Sequence, residues 1–462
     1  MIYNLNIEDS EKYDVVVCGG GMTGFAAAVT SAREGKKTLL IEKNGCLGGV
    51  ATSGSVTCLL GGIDYEDGKF KFVTGGLFKE LYYNLRKKEE CVDIYKVDRN
   101  RSPHAWYSGL AESILFDNEA MKRELENLAL DAGVELLYFS YVFDLYVEEN
   151  KIKYILVANK SGNTAFYADT YIDCTGDADL AFKAGCKTIK GRDEDNLMTP
   201  ATLIMNLNNV DTEKVLQYII DNNSPRFREK ILELRDAGKW TFPYDIFINL
   251  LMTKPGYHMI NTIRQVGIDG TDGKSLTKGM IQGRRENKQL YDLLTEYFPG
   301  FENSNIANTA DTIGIRETRR IIGDFVLSLK ALMRGEVFED VIALASYCFD
   351  LPDPKKPSLQ PLEGERIKKN YTEIPYKCML PDNINNLLVA GRSISVEREV
   401  LGPIRVMGPC IGMGQAAGMA ASMAYDNKIL INDVAIDKLK KNLSRIDCIT
   451  DESQICVVRK EI

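Results

Sequence analysis

Tyr13-Asp14-Val15-Val16-Val17-Cys18-Gly19-Gly20-Gly21-Met22-Thr23-Gly24 is the stretch on which the reading of this chain turns. Tyr13 to Val17 is a β-branched run of the kind that suits a strand buried on both faces of a parallel sheet. Gly19-x-Gly21-x-x-Gly24 follows without a break, and the alanine-rich segment from Met22 to Glu34 predicts a helix. A second apolar strand, Thr38-Leu39-Leu40-Ile41, ends at Glu42. This pattern predicts a βαβ unit with a carboxylate at the end of its second strand. Gly19 allows the tight turn, Gly21 lets the backbone approach a pyrophosphate, and Gly24 lets helix and strand pack closely. The pyrophosphate would rest on the unpaired N–H groups at the start of the helix, around Met22 and Thr23. Glu42 would accept hydrogen bonds from ribose hydroxyls. A glycine-rich turn used only for packing is the competing reading, and the strand, helix and acid in register argue against it.

After Glu42-Lys43 comes a second glycine-rich loop, Gly45-Cys46-Leu47-Gly48-Gly49-Val50-Ala51-Thr52. A plain NAD-binding unit has no use for it. A cofactor that runs past its pyrophosphate to a ribityl chain and a flavin ring needs more small-residue backbone to lie against. The arrangement looks like the FAD-binding segment of the glutathione-reductase-like flavoproteins, so FAD is preferred over NAD.

At 462 residues the chain can bury a large core and is expected to form two domains. Its net charge of −8 and lack of any basic block exclude nucleic acid as a natural partner. Apolar runs are interrupted well before 18 residues, so no membrane span is expected. The polar first twelve residues do not read as a signal peptide. Eleven cysteines form no CxxC pair or zinc spacing, and only two histidines, His104 and His258, are present. These features point to no metal and to a reducing cytoplasm.

Further along, Leu77 to Lys88 reads as an amphipathic helix, and 89–116 is irregular, carrying His104 and Trp106. Asp117 is a fair N-cap for a helix to Leu130. Strands are expected at 134–138, 140–147, 151–159 and 164–173, the later ones as an antiparallel meander. The last runs into Asp173-Cys174-Thr175-Gly176-Asp177, which resembles the ATG-type motif of flavoproteins. Residues 191–372 depart from cofactor-type sequence, with helices expected at 211–222, 225–236 and 273–297 and a strand at Tyr257–Asn261. Cofactor-type sequence returns at Leu387-Leu388-Val389-Ala390-Gly391-Arg392 and in the small-residue helix entered from Met407.

These blocks in this order resemble the FAD-dependent oxidoreductases related to the flavoprotein subunits of succinate dehydrogenase and fumarate reductase. The resemblance rests on GGGMTG with Glu42, LGGVAT, DCTGDADLAFKAG, GIRETRRIIGDF, NNLLVAGRSIS and RVMGPCIGMGQAAGMAA. It implies an α/β fold: a glutathione-reductase-like FAD domain from 1–190 and 373–462, with 191–372 inserted as an α+β substrate domain. On the cofactor side it places Gly19, Gly21, Met22, Thr23, Gly24, Glu42 and Lys43, then Gly48, Gly49, Val50, Ala51 and Thr52. Val142, Thr175, Gly176, Asp177, Gly391 and Arg392 follow, with Gly412, Gly414, Gln415 and Ala416 of the last helix. Residues 45–62 contain no histidine, so flavin attachment by the histidine route of those relatives is not expected and FAD should be non-covalent.

For chemistry, Arg405 precedes the final helix where fumarate-reductase relatives hold an arginine against a substrate carboxylate; a loop salt bridge is its other reading. Arg316, Arg319 and Arg320 lie on helical spacing among apolar residues, reading as a structural ion network or, for Arg316, a catalytic group. His258 is either a general acid–base or a hydrogen-bonded core histidine. The expected function is hydride transfer between flavin N5 and a small polar substrate such as a carboxylate, with an unidentified electron acceptor. An electron-transfer subunit serving a partner protein and a thiol–disulfide flavoprotein are the alternatives; Cys46 and Cys58 are poorly spaced for the latter. A homo-oligomer is compatible with everything above.

Overall fold

The computed structural model describes residues 5–96, 113–362, 364–365 and 367–460; His104 and Trp106 lie outside them. β1 (Glu8–Cys18) leads into α1 (Met22–Arg33) and β2 (Thr38–Ile41), and the two strands pair parallel with Val15 opposite Thr38. Val15 and Val17 pack in one core against α1, while Val16 and Cys18 pack in a second core on the other face. Burial on both faces is why the run is β-branched rather than alternating. α2 (Asn118–Asp131) crosses to β3 (Glu135–Leu137), which lies parallel to β2. Its N-cap is Asp117, whose side chain accepts from the Ala120 N–H at 3.0 Å.

β4 (Tyr141–Glu148), β5 (Lys151–Asn159) and β6 (Gly162–Asp173) make the antiparallel meander. β6 is shared: its first residues pair with β5, and from Thr164 to Asp173 it runs parallel to β1. The carboxyl ends of β1, β2 and β6 are thereby gathered at one edge, where ligands of such sheets bind.

Beyond β6, β7 (Met205–Asn208), β8 (Asn249–Leu251) and β9 (His258–Ile260) join β10 (Asn305–Thr309) in a four-stranded antiparallel sheet ordered β8-β9-β7-β10. Between β9 and β10 runs α3 (Gly273–Tyr297), over the residues its pattern predicts. This sheet has its own aromatic core, including Phe227, Trp240, Phe247, Phe298 and Phe301. Val341–Ala345 and Thr372–Pro375 pair instead beside the first core, which takes in Val341, Ile342, Leu344 and Ile374.

The helix expected around Arg316, Arg319 and Arg320 is not formed. Arg319–Ile321 is a strand paired antiparallel with Thr188–Lys190, and 315–318 is extended loop. Extended backbone sends neighbouring arginines to different partners. Arg319 donates to the Asp177 carbonyl at 2.8 Å and to Asp179, whereas Arg320 reaches Glu317 and the Val396 carbonyl, both at 3.2 Å. A long-range strand partner overrides the local spacing.

The chain then returns. β11 (Leu387–Val389) lies parallel to the end of β6, and α4 (Met407–Asn427) packs along α1. Among the described residues no helix is long and apolar enough to cross a membrane.

Candidate active site

The turn after β1 separates three glycine tasks. Gly19 has φ +98°, and a Cβ there would lie 2.4 Å from the Cys174 carbonyl oxygen. At Gly24 a Cβ would fall 1.8 Å from the Gly19 oxygen. At Gly21 it would meet nothing among the described residues within 4 Å, because the backbone there faces a cavity of about 440 Å³. The first and third glycines therefore serve the fold, and the second keeps space for a ligand. Gly21 is also the N-cap of α1 and supplies no capping side chain, so the first-turn N–H groups are left to an external acceptor.

The second glycine loop lies on the first. Gly48 N–H donates to the Gly20 carbonyl at 2.8 Å, and Gly21 and Gly48 form a parallel bridge. Gly48 and Gly49 both have positive φ, and Thr52 closes the loop by donating to the Leu47 carbonyl. Glu42 is buried at the cavity wall. Its carboxylate accepts from Gly20 N–H at 2.6 Å and from both amide nitrogens of Asn44 at 2.8 and 2.7 Å. A carboxylate has further lone pairs for ribose hydroxyls. Lys43, Ser140, Tyr141 and Val142 line the same end of the groove.

β6 delivers Thr175, Gly176 and Asp177 to the opposite wall. Asp173, fully buried, holds this turn by accepting from Thr175 Oγ1 at 2.7 Å and from Leu180 N–H at 2.9 Å. Asp177 accepts from Arg392 Nη2 at 2.7 Å and from Thr318 Oγ1 at 2.6 Å. Arg392 follows Gly391 (φ +94°), and its buried Nε has no hydrogen-bond partner among the described residues. Such an orphaned donor beside a glycine-lined groove fits an oxygen-rich, anionic cofactor.

The expected cofactor set divides. Gly19, Gly21, Met22, Thr23, Glu42, Lys43, Gly48, Gly49 and Val50 line the groove, as do Val142, Thr175, Gly176, Asp177, Gly391 and Arg392. Gly24, Ala51 and Thr52 stand behind it as support. Gly412, Gly414, Gln415 and Ala416 also lie outside the lining. Only the start of α4 reaches the groove, through Met407 and Cys410. Deeper in α4 the small residues serve helix contact: a Cβ at Gly414 would lie 2.2 Å from the Thr23 oxygen, and one at Gly418 2.3 Å from Ala27 O. Gln415 is buried and accepts from the Leu77 N–H at 2.8 Å.

A second chamber of about 470 Å³ adjoins the groove. The two share Val50, Ile315, Arg392, Arg405 and Met407. Arg405 Nη2 donates to the Asp350 side chain at 2.8 Å and to its main-chain carbonyl at 2.7 Å. Arg316 and Arg264 both donate to Thr202 Oγ1, at 2.8 and 3.1 Å, so two guanidiniums share one hydroxyl. Burial first, then the charges of Arg264 and Arg405, push Arg316 down to about 9. Arg264 is likewise lowered, chiefly by burial. The Nε atoms of Arg264 and Arg405 are buried with no hydrogen-bond partner among the described residues. Arg264 and Asp350 are additions that the sequence did not single out, and no local pattern around Arg264 marks it.

His258 does not join this site. It is fully buried, with Nδ1 2.6 Å from Asn249 Oδ1 and Nε2 2.9 Å from Thr212 Oγ1. Burial lowers its pKa to about 3. The structure thus places it as a core histidine of the second sheet.

Comparison with known proteins follows this geometry. The model of the family described as FAD dependent oxidoreductase matches residues 14–443. A Dictyostelium discoideum protein carrying the name bifunctional amine oxidase is 42% identical over 73 residues, 15% of this chain and 7% of its own. A dihydrolipoyl dehydrogenase of Trypanosoma brucei brucei is 57% identical over 37 residues, 8% of each. The matched stretches thus span less than a tenth of these curated relatives. A geranylgeranyl bacteriochlorophyll reductase-like structure from Thermoplasma acidophilum is similar over 95% of this chain and 84% of its own, with 14% identity and TM-score 0.44. A p-nitrophenol 4-monooxygenase structure from Pseudomonas putida covers 94% and 84%, at 11% identity and TM-score 0.42. With the family model spanning both cofactor segments and everything between, the chain belongs to the FAD-dependent oxidoreductases, and its cofactor is FAD.

Proposed function

We propose that the protein transfers a hydride between FAD and a small organic acid bound in the arginine-lined chamber. The observation that carries this reading is the convergence of Arg264, Arg316 and Arg405 on a chamber that shares Arg405 and Met407 with the FAD groove. Gly21, Gly48, Glu42, Asp177 and Arg392 would hold the cofactor, without a covalent link. FAD, when bound, supplies a ring that accepts or gives a hydride at N5.

The chain's own part is binding and orientation. Arg405, at the junction, directs a carboxylate toward the groove, and a planar guanidinium can grip two oxygens at once. Arg316 and Arg264 face the same chamber, their positive charge costly to bury unless an anion joins them. An enclosed, charged chamber favours a substrate pocket of the chain's own over an electron-transfer subunit. A thiol–disulfide role is disfavoured because Cys46 and Cys58 are not joined in a disulfide, and burial pushes Cys58 up to about 12, leaving a thiol rather than a thiolate. Kinship with the succinate dehydrogenase and fumarate reductase flavoproteins, and a glutathione-reductase-like arrangement of the FAD domain, are parts of this proposal.

Anaerobic screening of the yellow holoprotein tests it. Small carboxylic acids should change the flavin spectrum or bleach it, and their amides should not. Bleaching by neutral sugars or alcohols, with no effect of any acid, would overturn the reading.

A further inference from the structure

Among the described residues Asp350 is the carboxylate that meets the three converging guanidiniums, the chamber's other acid, Asp245, lying 3.4 Å from Arg228. Asp350 Oδ2 accepts from Arg405 at 2.8 Å and its Oδ1 from Gln360 Nε2 at 2.8 Å. Burial alone would raise its pKa, but Arg405 and Arg316, with Gln360 and Arg264, outweigh burial and hold the carboxyl below its ordinary range. The hydrogen bonds of Arg316 and Arg264 go to neutral acceptors: Pro200 O, Thr202 Oγ1, Asn261 and Ile263 O. Among the described residues one carboxylate thus faces these three cations, while Arg228 lies beside Asp245 and Arg392 on Asp177, so the three carry an excess of positive charge into the chamber.

We propose that Asp350 is the specificity-determining residue of the chamber, its single negative charge setting how much anionic charge a ligand must bring. The proposal rests on reading the chamber as the substrate site. Buried cations that lack anions are costly, so a ligand with two ionised groups offsets more of the excess than a singly charged one. Asp350 also repels every incoming anion, and that repulsion scales with the ligand's own charge. Its main-chain carbonyl grips Arg405 as well, at 2.7 Å, so neutralising the side chain leaves an anchor in place.

The test compares binding of acetate, malonate and neutral acetamide to the FAD-loaded protein, read by calorimetry and by perturbation of the flavin spectrum. Wild type should prefer malonate. Asp350→Asn should tighten acetate about tenfold and malonate about hundredfold, because each ligand charge gains the same relief, and acetamide should not change. Asp353→Asn is the control: Asp353 is on the same loop but outside the chamber, paired with Arg192 at 2.9 Å, and should leave all three unchanged. Weaker anion binding in Asp350→Asn would make Asp350 a mere clamp for Arg405 and overturn the proposal. An equal gain for acetate and malonate, or the same shift in Asp353→Asn, would also overturn it. Wild-type protein that binds neither anion would overturn the functional reading and this proposal with it, whereas the other contrary results overturn this proposal alone.

Discussion

At the scale of single residues, Gly21 and Gly24 differ in what surrounds the missing Cβ. Gly21 has φ −64° and ψ −179°, a conformation open to any L-residue, with no atom of the described residues within 4 Å of the added carbon. Gly24 has the Gly19 carbonyl in that place. Gly21→Ala should therefore fold and melt like wild type but lose FAD, and Gly24→Ala should lower the melting temperature as well, since overpacking costs about 1–3 kcal/mol. Flavin content and thermal denaturation of both variants check this; full FAD retention in Gly21→Ala would mean the groove does not run over that residue. Both roles were legible in the sequence because a turn makes its backbone demands locally. Arg264 and Asp350 were not. Nothing within a few residues of either shows that strands and loops from distant parts of the chain will bring them to Arg316 and Arg405.

At the scale of elements, strong local patterns were legible: α1, β2, β5 and α3 occupy, to within a residue, the positions that periodicity and caps predict. The Arg316–Arg320 stretch was not, because its strand partner, Thr188–Lys190, is remote in sequence. In the β8-β9-β7-β10 sheet β8, three residues long, carries too few side chains for a period to show, whereas β9 lies within the strand expected at 257–261. That sheet encloses His258, and the enclosure has a pH consequence. Its folded pKa of about 3 lies below the unfolded value, near 6.5, so the unfolded chain binds more protons between the two. The neutral ring's contribution is complete above about pH 6.5 and is lost as pH falls toward 3. Stability at pH 5 should be lower by about 2 kcal/mol than at pH 7 from this group alone. Denaturant melts of wild type and His258→Gln at both pH values check it. The variant, weaker overall, should show a shallower dependence, and an unchanged dependence would assign the proton uptake elsewhere.

At the scale of the molecule, β1, β2 and β6 end at one edge, β11 and α4 return to that edge, and the β7–β10 region supplies Thr202, Arg264 and neighbouring chamber wall. The cofactor half was legible because five short blocks each carry their own glycine or acid. The chamber was legible only through Arg405 and Arg316; its remaining walls come from segments whose nearness is a tertiary fact. Arg405 is where the two cavities meet, and the account turns on it. The most direct measurement is the anaerobic rate of flavin reduction by the acid that bleaches wild type, in Arg405→Gln with its FAD content measured beside it. The account predicts full FAD occupancy with reduction slowed about 10²–10³-fold, the usual cost of one such electrostatic contact. Reduction at the wild-type rate, or loss of FAD from a folded variant, would contradict it.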